Sequence, residues 1–368
     1  MVIKKKFKRV LVILGGTSEE RKVSLDSGKA CVKALKKKGY KVSILDPKHK
    51  NLNLIDKNKV DVVFNALHGK DGEDGIAQSY FEYLKIPYTH SGVISSFNSM
   101  NKIISKEIFL KNKILTPKFF SINKKSFKKK FLNLTIVRKK ISFPIVVKPV
   151  NEGSSIGVKI SVNMNNLYKL AKNLYSKYDQ LIFEEYIGGQ EIQVGVLNNS
   201  PLGAIELKPK RLFYDYKAKY TKSAKTAHIM PANLNKKKYN KVLNIAKQAH
   251  KALGCKGVTR SDFKFYKNRF YLLEINTQPG MTNLSLVPEI AAYHGISFIN
   301  LLKLILRDAS KKRAVRAIKD GGIYDFESCR QAAQCLTEKF GKNFDVRNIS
   351  HCLRKRKKTH MGFRFEAL

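Results

Sequence analysis

Arg260 and Asp262 stand two residues apart, and so do Glu274 and Asn276. The two pairs fall in apolar runs, 257–265 and 270–275, joined by the polar turn Lys267-Asn268-Arg269. Residues two apart on a strand share a face, so a hairpin can bring all four to one side of a sheet. Two carboxylates and an amide oxygen are hard donors of the kind magnesium takes while keeping positions for phosphate oxygens. A guanidinium beside them can stabilise negative charge growing on a carbonyl or phosphoryl oxygen. A salt-bridge cluster on a solvated sheet face would use the same four residues, and this pattern by itself does not separate the two.

Further polar groups follow the same logic. Lys148 ends the apolar run 144–147 and precedes Asn151-Glu152-Gly153-Ser154-Ser155-Ile156-Gly157. A Ser/Gly turn between strands can fold over phosphates with its backbone N–H groups while the lysine adds a point charge. The segment has neither the G-x-x-x-x-G-K-[ST] spacing of a P-loop nor the G-x-G-x-x-G of a dinucleotide site. Glu184-Glu185-Tyr186-Ile187 ends another strand, and Glu191 follows a Gly188-Gly189 turn. These are suitable partners for an adenine edge and ribose hydroxyls.

Such residues need a frame, and the first hundred positions supply its start. Apolar strands are expected at 10–14, 42–45 and 60–67, with helices at 23–38 and 75–84. That order implies a parallel sheet with ligands at the carboxyl ends of its strands. The loops there, Gly15 to Arg21 and His68 to Gly75, are polar and rich in glycine. A helix at 101–111 and a break at Pro117 lead into strands at 144–148 and 156–160, a helix at 167–175, and strands at 181–185 and 191–197. A helix at 239–253 precedes the hairpin, and helices at 286–294 and 298–307 close this part.

Composition bounds the rest. The 368 residues carry Lys+Arg 72 against Asp+Glu 28, a net charge of +44. Such an excess fits a polyanion partner, but it also fits lysine filling solvated faces, since Trp is absent and Lys, Asn and Ile abound. The cluster Lys124-Lys125, Lys128-Lys129-Lys130 and Arg138-Lys139-Lys140 reads as such a surface. No apolar run is long enough to span a bilayer. The basic start and apolar stretch up to Gly15-Gly16 lack a small-x-small cleavage site and read as a first strand. Five scattered cysteines do not form a disulfide framework, and a cytoplasmic protein is expected.

Read together, the motifs resemble D-alanine–D-alanine ligases. The segments that carry the resemblance are Gly15-Gly16-Thr17-Ser18-Glu19-Glu20-Arg21, Ala66-Leu67-His68-Gly69, Gly72-Glu73-Asp74-Gly75, Tyr88-Thr89-His90-Ser91-Gly92, Val147-Lys148-Pro149 and Glu152-Gly153-Ser154-Ser155. To these add Phe213-Tyr214-Asp215-Tyr216-Lys217-Ala218-Lys219-Tyr220 and Glu274-Ile275-Asn276-Thr277-Gln278-Pro279-Gly280-Met281-Thr282. They occur in order across residues 8–308. The resemblance implies an α/β ATP-grasp fold: a Rossmann-like substrate domain at 1–98, a central subdomain at 99–187 and a C-terminal subdomain at 188–312.

It also implies roles. Glu20 would hold the ammonium of the first D-alanine, with Val23 and His68 nearby. Lys102, Lys148 and Lys219 would contact phosphates of ATP, and Glu184, Glu185, Ile187 and Glu191 would line the nucleotide pocket. Asp262, Glu274 and Asn276 would ligate two magnesium ions, manganese being an acceptable substitute. Arg260 and the Gly280 backbone would form an oxyanion site, and Ser285-Leu286 would meet the second carboxylate. Ser154 and Tyr220 would connect to Glu20, and residues 213–222 would close over the site. Asn101 stands where the family more often has an acid, and Gln278 where it has a small residue. Tyr220 is the choice of relatives that use an amine, which favours D-alanine over D-lactate as second substrate. The expected partners are D-alanine, ATP and a second copy of the chain, and no membrane.

Beyond about residue 312 the resemblance stops. The remaining stretch, 313–368, holds 13 basic and 6 acidic residues. Asp325-Phe326-Glu327-Ser328 reads as a helix start, 329–340 has helical spacing, and 345–353 reads as a second helix. Arg354-Lys355-Arg356-Lys357-Lys358 and a short aromatic strand at 362–365 follow. A mostly helical tail is expected, similar to the helix-turn-helix modules appended to homing-type nucleases. In that reading DNA is a partner, met by Arg347, Asn348, His351 and the basic run Arg354 to Lys358. A charged extension competes with it, while the cysteine and histidine spacing lacks the C-x-x-C of a zinc site. The different-class alternative for the whole chain is a DNA-binding protein on an inactive ligase scaffold.

Overall fold

The computed structural model describes residues 7–127, 141–208, 226–282 and 285–309. Beyond these it describes 315–320, 322–326, 329–345, 348–349, 352 and 359–367. The chain divides into two units, Met1–Ala309 and Ser310–Leu368.

Alternation of apolar side chains makes the first strands. β1 (Arg9–Ile13), β2 (Lys41–Leu45) and β3 (Val62–Asn65) form a parallel sheet in the order β2-β1-β3. Helix α1 (Arg21–Lys37) crosses between the first two and buries Ser24, Ser27, Gly28, Cys31, Val32 and Leu35, a three-to-four-residue spacing that keeps one face on the core. Helices α2 (Ile76–Tyr83), α3 (Val93–Met100) and α4 (Lys102–Lys111) follow. The side chain of Asn101 accepts from the backbone N–H groups of Ile103 and Ile104. That cap sets where α4 begins and therefore where Lys102 points.

Two antiparallel sheets come next. β4 (Phe119–Asn123), β5 (Ile145–Pro149), β6 (Lys159–Ser161) and β7 (Gln180–Glu185) assemble as β4-β7-β5-β6, backed by α5 (Met164–Leu174). β8 (Gln190–Leu197), β9 (Ser200–Lys208), β10 (Ala227–Ile229), β11 (Val258–Tyr266) and β12 (Arg269–Asn276) assemble as β10-β9-β8-β11-β12. Helix α6 (Lys236–Ala252) covers the second sheet through Val242, Ala246 and Ala249. Helices α7 (Leu286–Tyr293) and α8 (Phe298–Asp308) end the unit. Among the described residues no single helix is long and apolar enough to cross a membrane.

Two expectations need correction. The strand expected at 156–160 is shorter and later, because Ser154, Ser155 and Gly157 all adopt positive φ and extend the turn. Among its described residues the tail is not mostly helical. β13 (Val315–Lys319), β14 (Gly322–Phe326) and β15 (Arg364–Ala367) form an antiparallel sheet in the order β14-β13-β15, with α9 (Cys329–Phe340) after the hairpin. Asp325 is a ladder partner of Arg316, not a helix cap. Ala317, Ala332, Leu336, Phe344, Ile349, Phe363 and Phe365 form this unit's own core. Residues 348, 349 and 352 are helical, and Asp345 accepts from the Asn348 N–H at 3.0 Å. Arg347, His351 and the basic run 354–358 lie outside the described residues, as do Lys219 and Tyr220.

Candidate active site

The hairpin of β11 and β12 places Arg260 opposite Asn276 and Asp262 opposite Glu274. All four therefore share one sheet face, as their period-two spacing requires. The Arg260 guanidinium lies on Asp262, Nε to Oδ1 at 2.8 Å and Nη2 to Oδ2 at 3.0 Å. Asn276 Nδ2 approaches the same carboxylate at 3.3 Å, and Glu274 Oε2 faces Lys102 Nζ at 3.5 Å. Two carboxylates and an amide crowd one face, and the fold sets cations against them. This donor set fits a hard divalent cation, so Asp262, Glu274 and Asn276 are the residues able to hold magnesium.

Between the two sheets runs a cleft. Its walls are Val146, Lys148 and Pro149 of β5, Glu184 and Glu185 of β7, Ile187, Glu191, Lys264, Leu273, Asp262 and Glu274. A narrow slot with apolar walls and charged ends suits a purine with a phosphate tail. Glu184 is buried at its centre, held by Lys148 at 3.0 Å and by Lys106 at 3.2 Å. Those two ammonium groups keep its carboxyl below the usual range despite burial. Lys106 is fully buried, and desolvation pulls its pKa down to about 8, while Glu184 opposes the fall. Glu191 pairs with Lys264 at 3.0 Å.

A second cavity adjoins the first. Glu20, Glu73, Ser99, Gly153, Asn276 and Thr277 line it, and Lys102, Glu152 and Glu274 line both cavities. Ser154 Oγ donates to Glu20 Oε1 across 134 residues of sequence. A Cβ on Gly153 would lie 2.6 Å from Glu20 Oε2, so a side chain there would displace that carboxylate. Lys102 Nζ donates to the Glu152 carbonyl, tying α4 to the turn after β5. Burial and the nearby Glu20 carboxylate raise the Glu73 pKa to about 8. His68 moves the other way, to about 4, through burial and then Arg260, against a hydrogen bond to the Gln278 backbone.

The structure thus gathers Glu20, Ser154, Lys102, Asp262, Glu274 and Asn276 at one end, and Lys148, Glu184, Glu185, Ile187 and Glu191 at the other. Val23, His68, Arg260, Gly280, Ser285 and Leu286 line neither cavity. Ser285 Oγ instead accepts from Thr282 N at 3.0 Å, and a Cβ on Gly280 would lie 2.8 Å from it. The Leu286 side chain is buried with Ile205, Leu207 and Ile290, so a ligand could meet only its backbone. Lys106, Glu73 and Lys264 escaped the sequence reading. Lys106 follows Lys102 by one helical turn, a spacing that could have pointed to it.

Comparison with known proteins fits this geometry. The family model for the D-ala D-ala ligase C-terminus matches residues 108–307, and that for the N-terminus matches 45–91. The D-alanine–D-alanine ligase of Pelagibacter ubique is 57% identical over 307 residues, covering 83% of this chain and 99% of that protein. The one from the Wolbachia of Brugia malayi is 42% identical, over 84% of this chain and 95% of that protein. The Bacillus anthracis D-alanine–D-alanine ligase complexed with ATP superposes with a TM-score of 0.70 at 30% identity, over 82% of this chain and 97% of its own. The VanG D-Ala:D-Ser ligase of Enterococcus faecalis gives 0.73 at 26% identity, over 83% and 100%.

Proposed function

This chain belongs to the D-alanine–D-alanine ligase family, and from that premise we propose how its residues carry the reaction. It joins two D-alanines at the expense of ATP, through an acyl phosphate, for peptidoglycan precursors. The observation that carries the assignment of residues is the pair of cavities meeting at Lys102, Glu152 and Glu274. The larger cleft takes ATP, with Glu184, Glu185, Ile187 and Glu191 around the nucleoside and Lys148 and Lys102 toward its phosphates. Glu20, steadied by Ser154, holds the ammonium of the first D-alanine in the smaller cavity. Its carboxylate then lies where the shared wall brings the γ-phosphate to it.

A carboxylate is a poor electrophile until phosphorylation turns one of its oxygens into a leaving group. Lys102 and Lys148 offset charge on the moving phosphoryl group. Magnesium, held by Asp262, Glu274 and Asn276, would supply further charge neutralisation there. The amine of the second D-alanine attacks the acyl carbon, and Arg260 with the Gly280 N–H steadies the tetrahedral oxyanion. The Ser285-Leu286 backbone at the start of α7 receives the second carboxylate. Lys219 and Tyr220 complete the phosphate and Glu20 contacts by their motif. No enzyme nucleophile is involved, and the domain limits given from sequence follow the same scheme. Phosphate release that requires both magnesium and D-alanine, with dipeptide as product, is the expected result. Hydrolysis indifferent to D-alanine and without dipeptide would reject the reading.

Two partners are proposed beyond the substrates. Ile76 and Tyr83 on α2 and Ile94 and Phe97 on α3 are exposed apolar side chains on helices in contact, a surface suited to a second copy. DNA is the proposed partner of residues 313–368, a homing-nuclease-like module in which 345–353 carries Arg347, Asn348 and His351 and the run 354–358 neutralises phosphates. Full-length protein and a 1–312 truncation should show equal ligase activity, and each should run at the mass of its own dimer. The full-length protein alone should bind duplex DNA with a log K against log salt slope steeper by roughly 4 to 5. Equal affinity and slope would reject the module, and a monomeric mass the dimer.

A further inference from the structure

After β12 ends at Asn276, Gln278 enters the protein interior, its residue only 2% exposed. Its amide oxygen accepts from Asn65 Nδ2 at 2.6 Å and from Gln78 Nε2 at 3.3 Å. Its nitrogen donates to the carbonyls of Leu67 at 2.6 Å and Gly72 at 3.0 Å. The Gly72 carbonyl also accepts from Asn65 Nδ2 at 3.0 Å and Gln78 Nε2 at 2.9 Å. One carbonyl therefore gathers three side-chain donors from three separate stretches of chain. A side chain does not fit at Gly72, where a Cβ would fall 2.3 Å from Leu67 Cβ.

The main chain of Gln278 reaches the same loop. Its N–H donates to Glu73 Oε1 at 3.0 Å. Gln278 thus grips the loop 67–73 by its side chain and holds Glu73 by its backbone. Three buried amides are an expensive way to fill space, because leucine would fill it without desolvating polar groups. What such an amide network provides is direction, a single register for the groups it binds, even with Gln78 Oε1 left without a hydrogen bond.

We propose that Gln278 is a positioning residue for the amino-acid site: keyed to Asn65 and Gln78, it sets the 67–73 loop so that Glu73 faces bound D-alanine. The proposal rests on the ligase reading above. The ATP cleft shares no residue with this network, so the two ligands should respond differently to its loss.

The test compares wild-type, Gln278→Leu, Gln278→Glu, Asn65→Leu and the Gln278→Leu/Asn65→Leu double variant in steady-state assays with D-alanine and ATP varied separately. Gln278→Leu should raise KM for D-alanine about tenfold or more while KM for ATP stays within about twofold. Gln278→Glu keeps the volume but cannot donate to Leu67 and Gly72, so it should behave the same way. The double variant should cost less than the sum of its parts, because both substitutions dismantle one network. Should Gln278→Leu fail to fold, the same split read on Gln278→Glu decides. An unchanged KM for D-alanine in a folded variant, or equal rises for both substrates, would overturn the proposal. Absence of D-alanine-dependent turnover in the wild-type would instead sink the ligase reading itself.

Discussion

One carboxylate can neutralise one ammonium, yet Glu184 faces two, and the deeper of them is Lys106. Lys106 Nζ also donates to Thr116 Oγ1 at 2.7 Å, and Thr116 in turn donates to the Leu272 carbonyl at 2.7 Å. The chain of bonds fixes Glu184 against the second sheet. Lys106→Met should leave Glu184 tethered by Lys148 alone and raise KM for ATP by about tenfold, with the fold retained and KM for D-alanine little changed. Separate titrations of the two substrates check it, and an unchanged KM for ATP would mean that Glu184 needs no second anchor. The only local mark of this arrangement is the one-turn spacing of Lys102 and Lys106. Lys148 stands out because it closes an apolar run, whereas the burial of Lys106 comes from what folds over it.

At the scale of elements, the turn between β5 and β6 does most to join the two cavities. Its backbone takes positive φ at Ser154 and Ser155, aiming the Ser154 hydroxyl at Glu20. Gly153→Ala would push a methyl group into the Glu20 carboxylate, and kcat/KM for D-alanine should fall by about tenfold or more while ATP binding persists. Calorimetry with ATP alongside D-alanine kinetics would show the split, and wild-type kinetics would remove this turn from the amino-acid site. The hairpin of β11 and β12 was legible because strand periodicity of two needs only neighbouring residues. The tail sheet was not. Its strands, VRAIK and GIYDF, are short and interrupted by charge, and β13 finds its second partner, β15, only after an intervening helix. An Asp followed by Phe, Glu and Ser has the look of a helix start, and tertiary pairing overrode it.

For the whole molecule, three buried histidines should dominate the acid limb of stability. Burial drives His68 to about 4, His90 to about 3 and His250 to about 4, from an ordinary 6.5. Below 6.5 the unfolded chain takes up protons that the folded chain refuses, so stability falls as pH drops toward 4. Glu73, raised to about 8, acts oppositely: the folded state holds the extra proton, and that stability is lost as pH rises from 4.5 through 8. Tm should therefore peak near pH 6.5 and fall by about 10 °C or more by pH 4.5. Scanning calorimetry across that range checks it, and His90→Phe should flatten the acid limb; a flat wild-type profile would refute the assignment. A different consequence follows from the wall that the two cavities have in common. Lys102, Glu152 and Glu274 cannot answer an occupant on one side without changing what the other side meets. Their affinities are then thermodynamically linked, and the linkage is reciprocal: whatever factor ATP contributes to the binding of D-alanine, D-alanine returns in full to the binding of ATP.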